Sequence, residues 1–370
     1  MKLSKVVHRI EREFPRQWAE DWDCAGLLAG DGWAEIRFIM LAVDPTPAVL
    51  DEAASKGADM LITHHPPSLD PPSRIVKGDP NGNAYYAAVK SGIALYVMHT
   101  TLDVSHISPN HALAVQLRLL DCEVLQPTDG GKYYKIVVFV PDAHLEAVRR
   151  ALCDAGAGEI GEYSECTFSV AGEGTFLPGT GANPFSGVRG QLKKEKERRL
   201  ETIVPAELFD GAVAALLKAH PYEEVAYDVY PLINSFSKRG YGQIGDLSRP
   251  MSLLELAQEL KAGLPSGRVA VCGKSESRVS RVAVLAGAGG DFIDIAVKKG
   301  ANVLVTGEAK YHQLRYAEAK GISVITAGHF ATEWVALPAL KAELDKIIWE
   351  HPGDGVIDIA QNEHSPIWIV

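Results

Sequence analysis

Ala58-Asp59-Met60-Leu61-Ile62-Thr63-His64-His65-Pro66-Pro67 joins a short apolar run, two adjacent histidines and a double proline. Met60 to Ile62 reads as a buried strand that the prolines stop. In a regular strand neighbouring side chains point to opposite faces, so adjacent imidazoles can share a site only where the strand has ended and the backbone turns. That placement suits two metal ions side by side better than one. An isolated His-His would be read as two surface histidines on a loop, and it is the rest of the chain that weighs against this.

Working outward, residues 36–43 form a second apolar run and residues 45–56 a helix closed by Gly57. Before them lie an amphipathic helix over 4–14 and a loop carrying Glu20, Asp21 and Asp23. After the histidines comes a proline-rich loop to Asp79, then a helix over 84–90 ending near Gly92. A strand over 93–98 runs into His99-Thr100-Thr101-Leu102-Asp103, and a helix over 109–120 follows. Strands alternating with helices across short loops predict a parallel sheet with crossover helices.

The C-terminal part repeats this plan. A strand over 281–286 leads through Gly287-Ala288-Gly289-Gly290 into a helix over 291–299. That glycine cluster reads as a tight turn, with a phosphate cradle of backbone N–H groups as the alternative. A strand over 303–305, a helix over 311–320 and a strand over 322–326 then deliver Gly328-His329-Phe330-Ala331-Thr332-Glu333. A long helix to Trp349 follows, kinked at Pro338 unless it starts late. Lys56-Gly57-Ala58-Asp59-Met60-Leu61-Ile62-Thr63 matches Lys299-Gly300-Ala301-Asn302-Val303-Leu304-Val305-Thr306 position by position. The fold expected is α/β, with two similar halves (1–126 and 233–370) carrying parallel-type sheets.

Between them, residues 127–232 change pattern to β-α-β-β-α-β, a ferredoxin-like α+β order. The strands are expected over 134–140, within the glycine-rich stretch 163–190, over 195–204 and over 224–230, with helices over 142–155 and 206–219. An inserted domain is the economical reading. The charged run 193–199 reads as a solvated face rather than an anion-binding strip.

Composition narrows the function classes. At 370 residues the chain can hold two or three domains, and 46% hydrophobic with 23% charged residues describes an ordinary globular protein. A net charge of −10 offers no basic field for nucleic acid. Five scattered cysteines without C-x-x-C spacing predict small core residues in a reducing compartment. The first 16 residues lack a signal-peptide core and no apolar run reaches membrane-spanning length, so a cytoplasmic protein without membrane contact is expected.

Strand ends thus offer His64 and His65, then Asp103, then His329 with Glu333. In doubly wound folds the carboxyl ends of parallel strands open onto the functional crevice. Three imidazoles and two carboxylates suit two borderline transition ions, whereas calcium or magnesium would want more oxygen. His99 is expected to support the site, or else to bond to backbone. His312 is a candidate donor to substrate, or else a surface position. His106 and His111 are expected to be exposed.

Thr63-His64-His65-Pro66, His99-Thr100-Thr101-Leu102-Asp103 and Gly328-His329-Phe330-Ala331-Thr332-Glu333 resemble the motifs of the Nif-three-like dinuclear metal proteins, often labelled GTP cyclohydrolase 1 type 2 homologs. Trp22-Asp23-Cys24-Ala25-Gly26-Leu27 and Thr306-Gly307-Glu308 with Tyr311-His312 are similar to further family motifs, and His220-Pro221-Tyr222-Glu223-Glu224 resembles a PII/CutA-like insert. The resemblance implies that His64, His65, Asp103, His329 and Glu333 hold two divalent ions (zinc, iron, manganese, cobalt or nickel), Glu333 touching both. It also implies a toroidal homohexamer. On this basis His64 and His65 are expected to serve different ions, with Asp103 joining one and His329 the other. Cys24, Thr101 and the serine-free 287–290 loop depart from the family pattern, which bears on substrate identity. Two functions follow as expectations: a metal-dependent hydrolase acting on a nucleotide or phosphoester, or a non-catalytic metal-binding or regulatory protein whose insert senses a small ligand.

Overall fold

The computed structural model describes residues 1–128, 133–161, 163–233, 239–265, 267–351 and 353–368. In chain order the strands are β1 Gly26–Ala29, β2 Phe38–Ala42, β3 Met60–Thr63, β4 Ala94–Val97, β5 Leu120–Pro127, β6 Tyr133–Pro141, β7 Thr167–Phe176 and β8 Lys193–Pro205. They continue with β9 Tyr227–Pro231, β10 Gly240–Ser252, β11 Ala270–Cys272, β12 Arg278–Ala288, β13 Val303–Glu308, β14 Ser323–Thr326 and β15 Val356–Ile359. The chain divides into two compact units, Met1–Thr128 with Arg239–Val370, and Asp129–Lys238.

The first unit contains two sheets. In one, ordered β1-β4-β3-β2-β15, the last four strands are parallel and β1 is an antiparallel edge. Alternation along β2 and β3 divides their side chains between two cores. Ile39, Leu41, Met60 and Ile62 pack with residues of helices Leu3–Glu13 and Leu337–Ile348. Met40, Ala42 and Leu61 pack with Val49, Ala53 and Ala88 of helices Pro47–Lys56 and Asn83–Ser91. A parallel strand covered on both faces reads as a continuous apolar run, which is why these strands were visible in sequence. Gly57 ends the Pro47–Lys56 helix in the left-handed region (φ 72°) and sends the chain into β3.

The other sheet, ordered β11-β14-β13-β12-β10-β5, is parallel across β12, β13 and β14 and antiparallel elsewhere. Strands β5, β10 and β11 had no counterpart in the sequence reading. The alternation of β5, Leu120-Asp121-Cys122-Glu123-Val124, overlaps the end of the helix expected over 109–120 and is mostly solvent-exposed, and β10 is interrupted by Gly240, Gly242 and Gly245. The two halves also exchange strands: β5 lies in the sheet built mainly from the C-terminal part, while β15 pairs in parallel with β2. The long helix expected after Glu333 starts late, at Leu337, and runs to Ile348, with a separate short helix His329–Trp334 before it. Pro338 sits in the first turn of the long helix, where a missing N–H breaks no helical bond. The cysteines are free thiols as expected, but none is fully buried: Cys122 is exposed and the other four are half-buried, Cys272 packing against the core beside β14. Among the described residues, no helix is long and apolar enough to cross a membrane.

The second unit runs β6, helix Leu145–Asp154, β7, β8, helix Phe209–Ala219, β9, with an antiparallel sheet ordered β7-β8-β6-β9. Ile136, Val138, Val140, Leu200 and Val204 on one face pack against Val148, Leu152, Ala212 and Leu216 of the helices. Strands β6 and β8 both end in Val-Pro and pass through a single 3-10 turn into their helix. Within the 193–199 run Lys194 pairs with Glu173 at 2.8 Å, Arg198 with Asp142 at 2.6 Å and Arg199 with Glu201 at 2.9 Å.

Candidate metal centre

The histidine pair is placed by the end of β3. The His64 and His65 amides still donate to Ala42 and Val43 carbonyls, while the Thr63 hydroxyl donates to the His65 carbonyl at 2.7 Å. The turn thus formed brings both rings to one side, with centroids 4.8 Å apart. From β4 the chain enters a single helical turn, His99–Asp103, and from β14 it passes through Gly328 (φ 90°) into His329–Trp334. Each turn carries a histidine and, four residues on, a carboxylate, so the spacing puts both on one face.

These pieces converge on Glu333, whose residue is 5% exposed. Its Oε1 lies 2.9 Å from His329 Nε2 and 3.6 Å from His64 Nε2, and its Oε2 lies 3.3 Å from His65 Nε2. Asp103 Oδ1 stands 3.6 Å from the same His64 nitrogen. All five residues named in sequence are therefore brought together. Ligand atoms of His65, His329 and Glu333 lie within 4.8 Å of one another, as do those of His64, His65 and His99. His99 sits closer than a supporting role requires, its ring 5.4 Å from His64 and 5.5 Å from His65. By contrast His312 is exposed, and among the described residues no hydrogen bond, ion pair or ring contact joins it to the cluster. His106 and His111 are exposed as expected; His106 lies near Glu13 and Glu343 in a further group that could hold an ion at the surface.

Three carboxylates that the sequence reading gave no role hold the imidazoles. Asp44 Oδ1 is 2.9 Å from His65 Nδ1, Asp23 Oδ1 is 2.9 Å from His99 Nδ1, and Glu308 Oε1 is 3.2 Å from His329 Nδ1. Each bond orients the ring and directs Nε2 toward the cluster, the arrangement in which a carboxylate fixes a metal-binding histidine. Asp23 also accepts from the Thr100 amide at 3.0 Å and the Thr100 hydroxyl. Burial works to raise its carboxyl, but bonds to His99 and Thr100 prevail and bring it down to about 2.

The same balance governs the centre. Burial alone would raise Glu333, yet the His64 charge and the imidazoles of His329 and His65 close by hold it well below the carboxylate range. Burial works against a proton on His65, but Asp44 and Glu333 lift it to about 10. Asp103 moves the other way, raised by burial despite the attraction of His64. Both ring nitrogens of His64 and Oε2 of Glu333 are buried without a hydrogen-bond partner. Orphaned buried donors and acceptors are costly, and an ion in their midst would satisfy them. The donor set therefore fits a divalent metal of the borderline class.

The glycine cluster forms the site's floor. Gly287 (φ 66°) passes so close that a β-carbon there would sit 2.6 Å from Glu333 Oε1. Its N–H donates to the Thr332 hydroxyl at 3.0 Å, and the Gly289 N–H donates to the Thr306 hydroxyl at 2.9 Å. Those amides are spent within the fold, so the tight-turn reading holds rather than the phosphate cradle. Asn110 ties the two sheets together beneath the site, donating to the Asp103 carbonyl at 3.2 Å and accepting from the Ala286 amide at 2.8 Å.

The carboxylate–histidine pairs make a first prediction. Asp44→Asn and Glu308→Gln each keep the side chain's size but weaken the hold on Nδ1, so metal affinity should fall by about 10–100-fold. Competition against a chromogenic chelator measures this. Wild-type affinity in both variants would show that the pairs do not tune the ligands.

A profile of the family described as Duf34/NIF3 (NGG1p interacting factor 3) matches residues 1–360. Over 368 residues the chain is 39% identical to a Halalkalibacterium halodurans protein named GTP cyclohydrolase 1 type 2 homolog, covering 99% of this chain and 98% of that one. A Bacillus subtilis protein of the same name is 40% identical over 328 residues, 89% of this chain and 88% of its own length. The crystal structure of a Bacillus cereus protein described as related to NIF3 superimposes with a TM-score of 0.88 at 38% identity, covering 100% of this chain and 99% of that one. A Staphylococcus aureus protein superimposes with a TM-score of 0.80 at 25% identity, covering 100% and 99%.

Proposed function

As the chain belongs to the Duf34/NIF3 family, we propose that its cluster of three histidines and two carboxylates is a dinuclear divalent-metal centre serving a hydrolase. The observation that carries the reading is the buried Glu333 carboxylate, with His329 and His64 facing one oxygen and His65 the other. His64 with Asp103 would hold one ion, His65 with His329 the other, and Glu333 would touch both. His99, fixed by Asp23, stands beside the first group. Such ions supply Lewis-acid activation of water and stabilise negative charge developing on a substrate. The chain's own contribution is to fix three imidazoles by Asp44, Asp23 and Glu308, and to keep Glu333 ionised in a buried place.

The substrate class follows the name of the relatives, GTP cyclohydrolase 1 type 2 homolog: a nucleotide or phosphoester. The test is to quantify zinc, iron, manganese, cobalt and nickel in the purified protein and screen GTP, other nucleotides, phosphoesters and cyclic amides for turnover. Turnover that disappears with chelation and returns with metal supports the reading. Full metal occupancy without turnover would instead favour a metal-binding or regulatory protein with a ligand-sensing insert, a second reading to which the separate cavity in the 129–238 unit lends weight.

That unit is read as the ferredoxin-like, PII/CutA-like insert, its strand order β9-β6-β8-β7 being the order expected of a split β-α-β arrangement. Thr128 and Arg239, which flank it, are joined by a backbone hydrogen bond of 3.2 Å. Replacing residues 129–238 by a short glycine linker should therefore leave a soluble protein with unchanged metal stoichiometry. Loss of metal from a folded deletion protein would make the insert part of the centre. The family also suggests a homohexameric ring in the cytoplasm; light scattering that returns the mass of one chain at micromolar concentration would count against the ring.

A further inference from the structure

The sheet of the second unit carries helices on one face only, and on the other its end is roofed by the segment that follows β7. Residues 177–190 fold back there, held by a bond of 2.7 Å from the Asn183 amide to Glu223 and one of 2.6 Å from the Ser186 hydroxyl to Glu195. Between roof and sheet lies a cavity of about 660 Å³. Such a volume suits a small molecule.

Its lining is specific. Tyr222 stands with its ring centroid 6.0 Å from Phe176 and 6.0 Å from Phe185, so three aromatic rings surround one part of the space. Beside them is Glu197, only 8% exposed, whose Oε1 accepts from the Tyr222 hydroxyl at 2.8 Å. Gly174 makes room for that carboxylate, since a β-carbon there would overlap it. Among the described residues no lysine or arginine pairs with Glu197. Arg199, which also lines the cavity, is turned onto Glu201 at 2.9 Å, and Glu201 is shared with Lys135. The nearby His220 is held down by burial, its Nδ1 accepting from the Tyr222 amide. Glu223 and Glu224 add further negative charge to the lining.

A buried carboxylate without a cation is costly, and a ring of aromatic faces is attractive to one thing in particular, a weakly hydrated organic cation. We propose that this cavity is a binding site for a small alkylammonium compound, its charged nitrogen seated between Glu197 and the rings of Phe176, Phe185 and Tyr222. The site is separate from the metal cluster in its residues, and neither depends on the other for its argument.

The experiment is calorimetric titration of the full chain with choline and with choline's neutral isostere, in which a quaternary carbon replaces the nitrogen. Saturable choline binding is expected, with the isostere weaker by about tenfold or more, the scale of a desolvated cation–π contact. Glu197→Gln should weaken choline by at least as much while leaving metal content unchanged. Phe185→Ala alters a ring on the exposed roof, where folding is not at stake, and should weaken choline as well. Equal binding of the isostere would overturn the proposal in favour of a plain apolar pocket. Absence of choline binding at tens of millimolar, or binding that survives both substitutions, would overturn it outright.

Discussion

Glu333→Ala should empty the whole metal centre, whereas His329→Ala should empty only part of it. Glu333 meets His329 and His64 through one oxygen, at 2.9 and 3.6 Å, and His65 through the other at 3.3 Å. The His329 side chain, by contrast, meets Glu333, Glu308 and the His65 ring. Paired ions at such sites sit roughly 3.5–4 Å apart and repel one another, and a carboxylate between them is what offsets that repulsion. If two ions sit there, removing it would take away a ligand from each together with the negative charge that lets them coexist. Removing His329 leaves His64, Asp103 and Glu333 for one ion. Glu333→Gln should fall between, because an amide oxygen still ligates but carries no charge. Metal quantification on the three purified variants reads this directly. If Glu333→Ala loses no more metal than His329→Ala, the bridging role is wrong.

Gly287→Ala should do comparable damage without replacing any ligand. At φ 66° an alanine is strained, by about 1–2 kcal/mol for a left-handed residue. The added methyl would also sit 2.6 Å from Glu333 Oε1 and 3.3 Å from His329 Nε2. Glu333 is buried among His329, His64 and His65, so its carboxylate must move away from them or the β12 end must shift. Gly300→Ala is the internal control. It has the same backbone handicap at φ 79° but open space around its β-carbon, so it should lower stability by a similar increment and keep its metal. Thermal denaturation and metal content measured together separate strain from displacement. Full metal in Gly287→Ala, with stability matching the control, would show that the floor is not tight.

What was legible in sequence was whatever a single strand or a single turn announces. The runs at 60–62 and 303–305 are buried on both faces and so read as strands. The ligands sit at the ends of such runs, or four residues apart on a helical turn. The carboxylates that hold the imidazoles were not legible, because Asp44 and Glu308 stand 21 residues before the histidines they serve and Asp23 stands 76 before His99. Only the pairing of β2 with β3 and of β13 with β14 brings two of these pairs together. For Pro338 the sequence left a kink and a late helix start as alternatives, and the break at Val335 and Ala336 decides for the late start. The strands β5 and β10 escaped for another reason: the alternation of β5 runs on from a stretch already read as helix, and glycines interrupt β10.

The exchange of β15 into the first sheet has a consequence for how the molecule is made. During synthesis β2 emerges more than three hundred residues before its neighbour β15, and until then its outer edge has no partner. An apolar strand with one open edge is a template for wrong pairing with another chain. Vectorial synthesis at the ribosome therefore leaves the β2 edge open until the last part of the chain has been made. The five clustered side chains span positions 64 to 333, so the whole cluster can assemble only after residue 333 has been made.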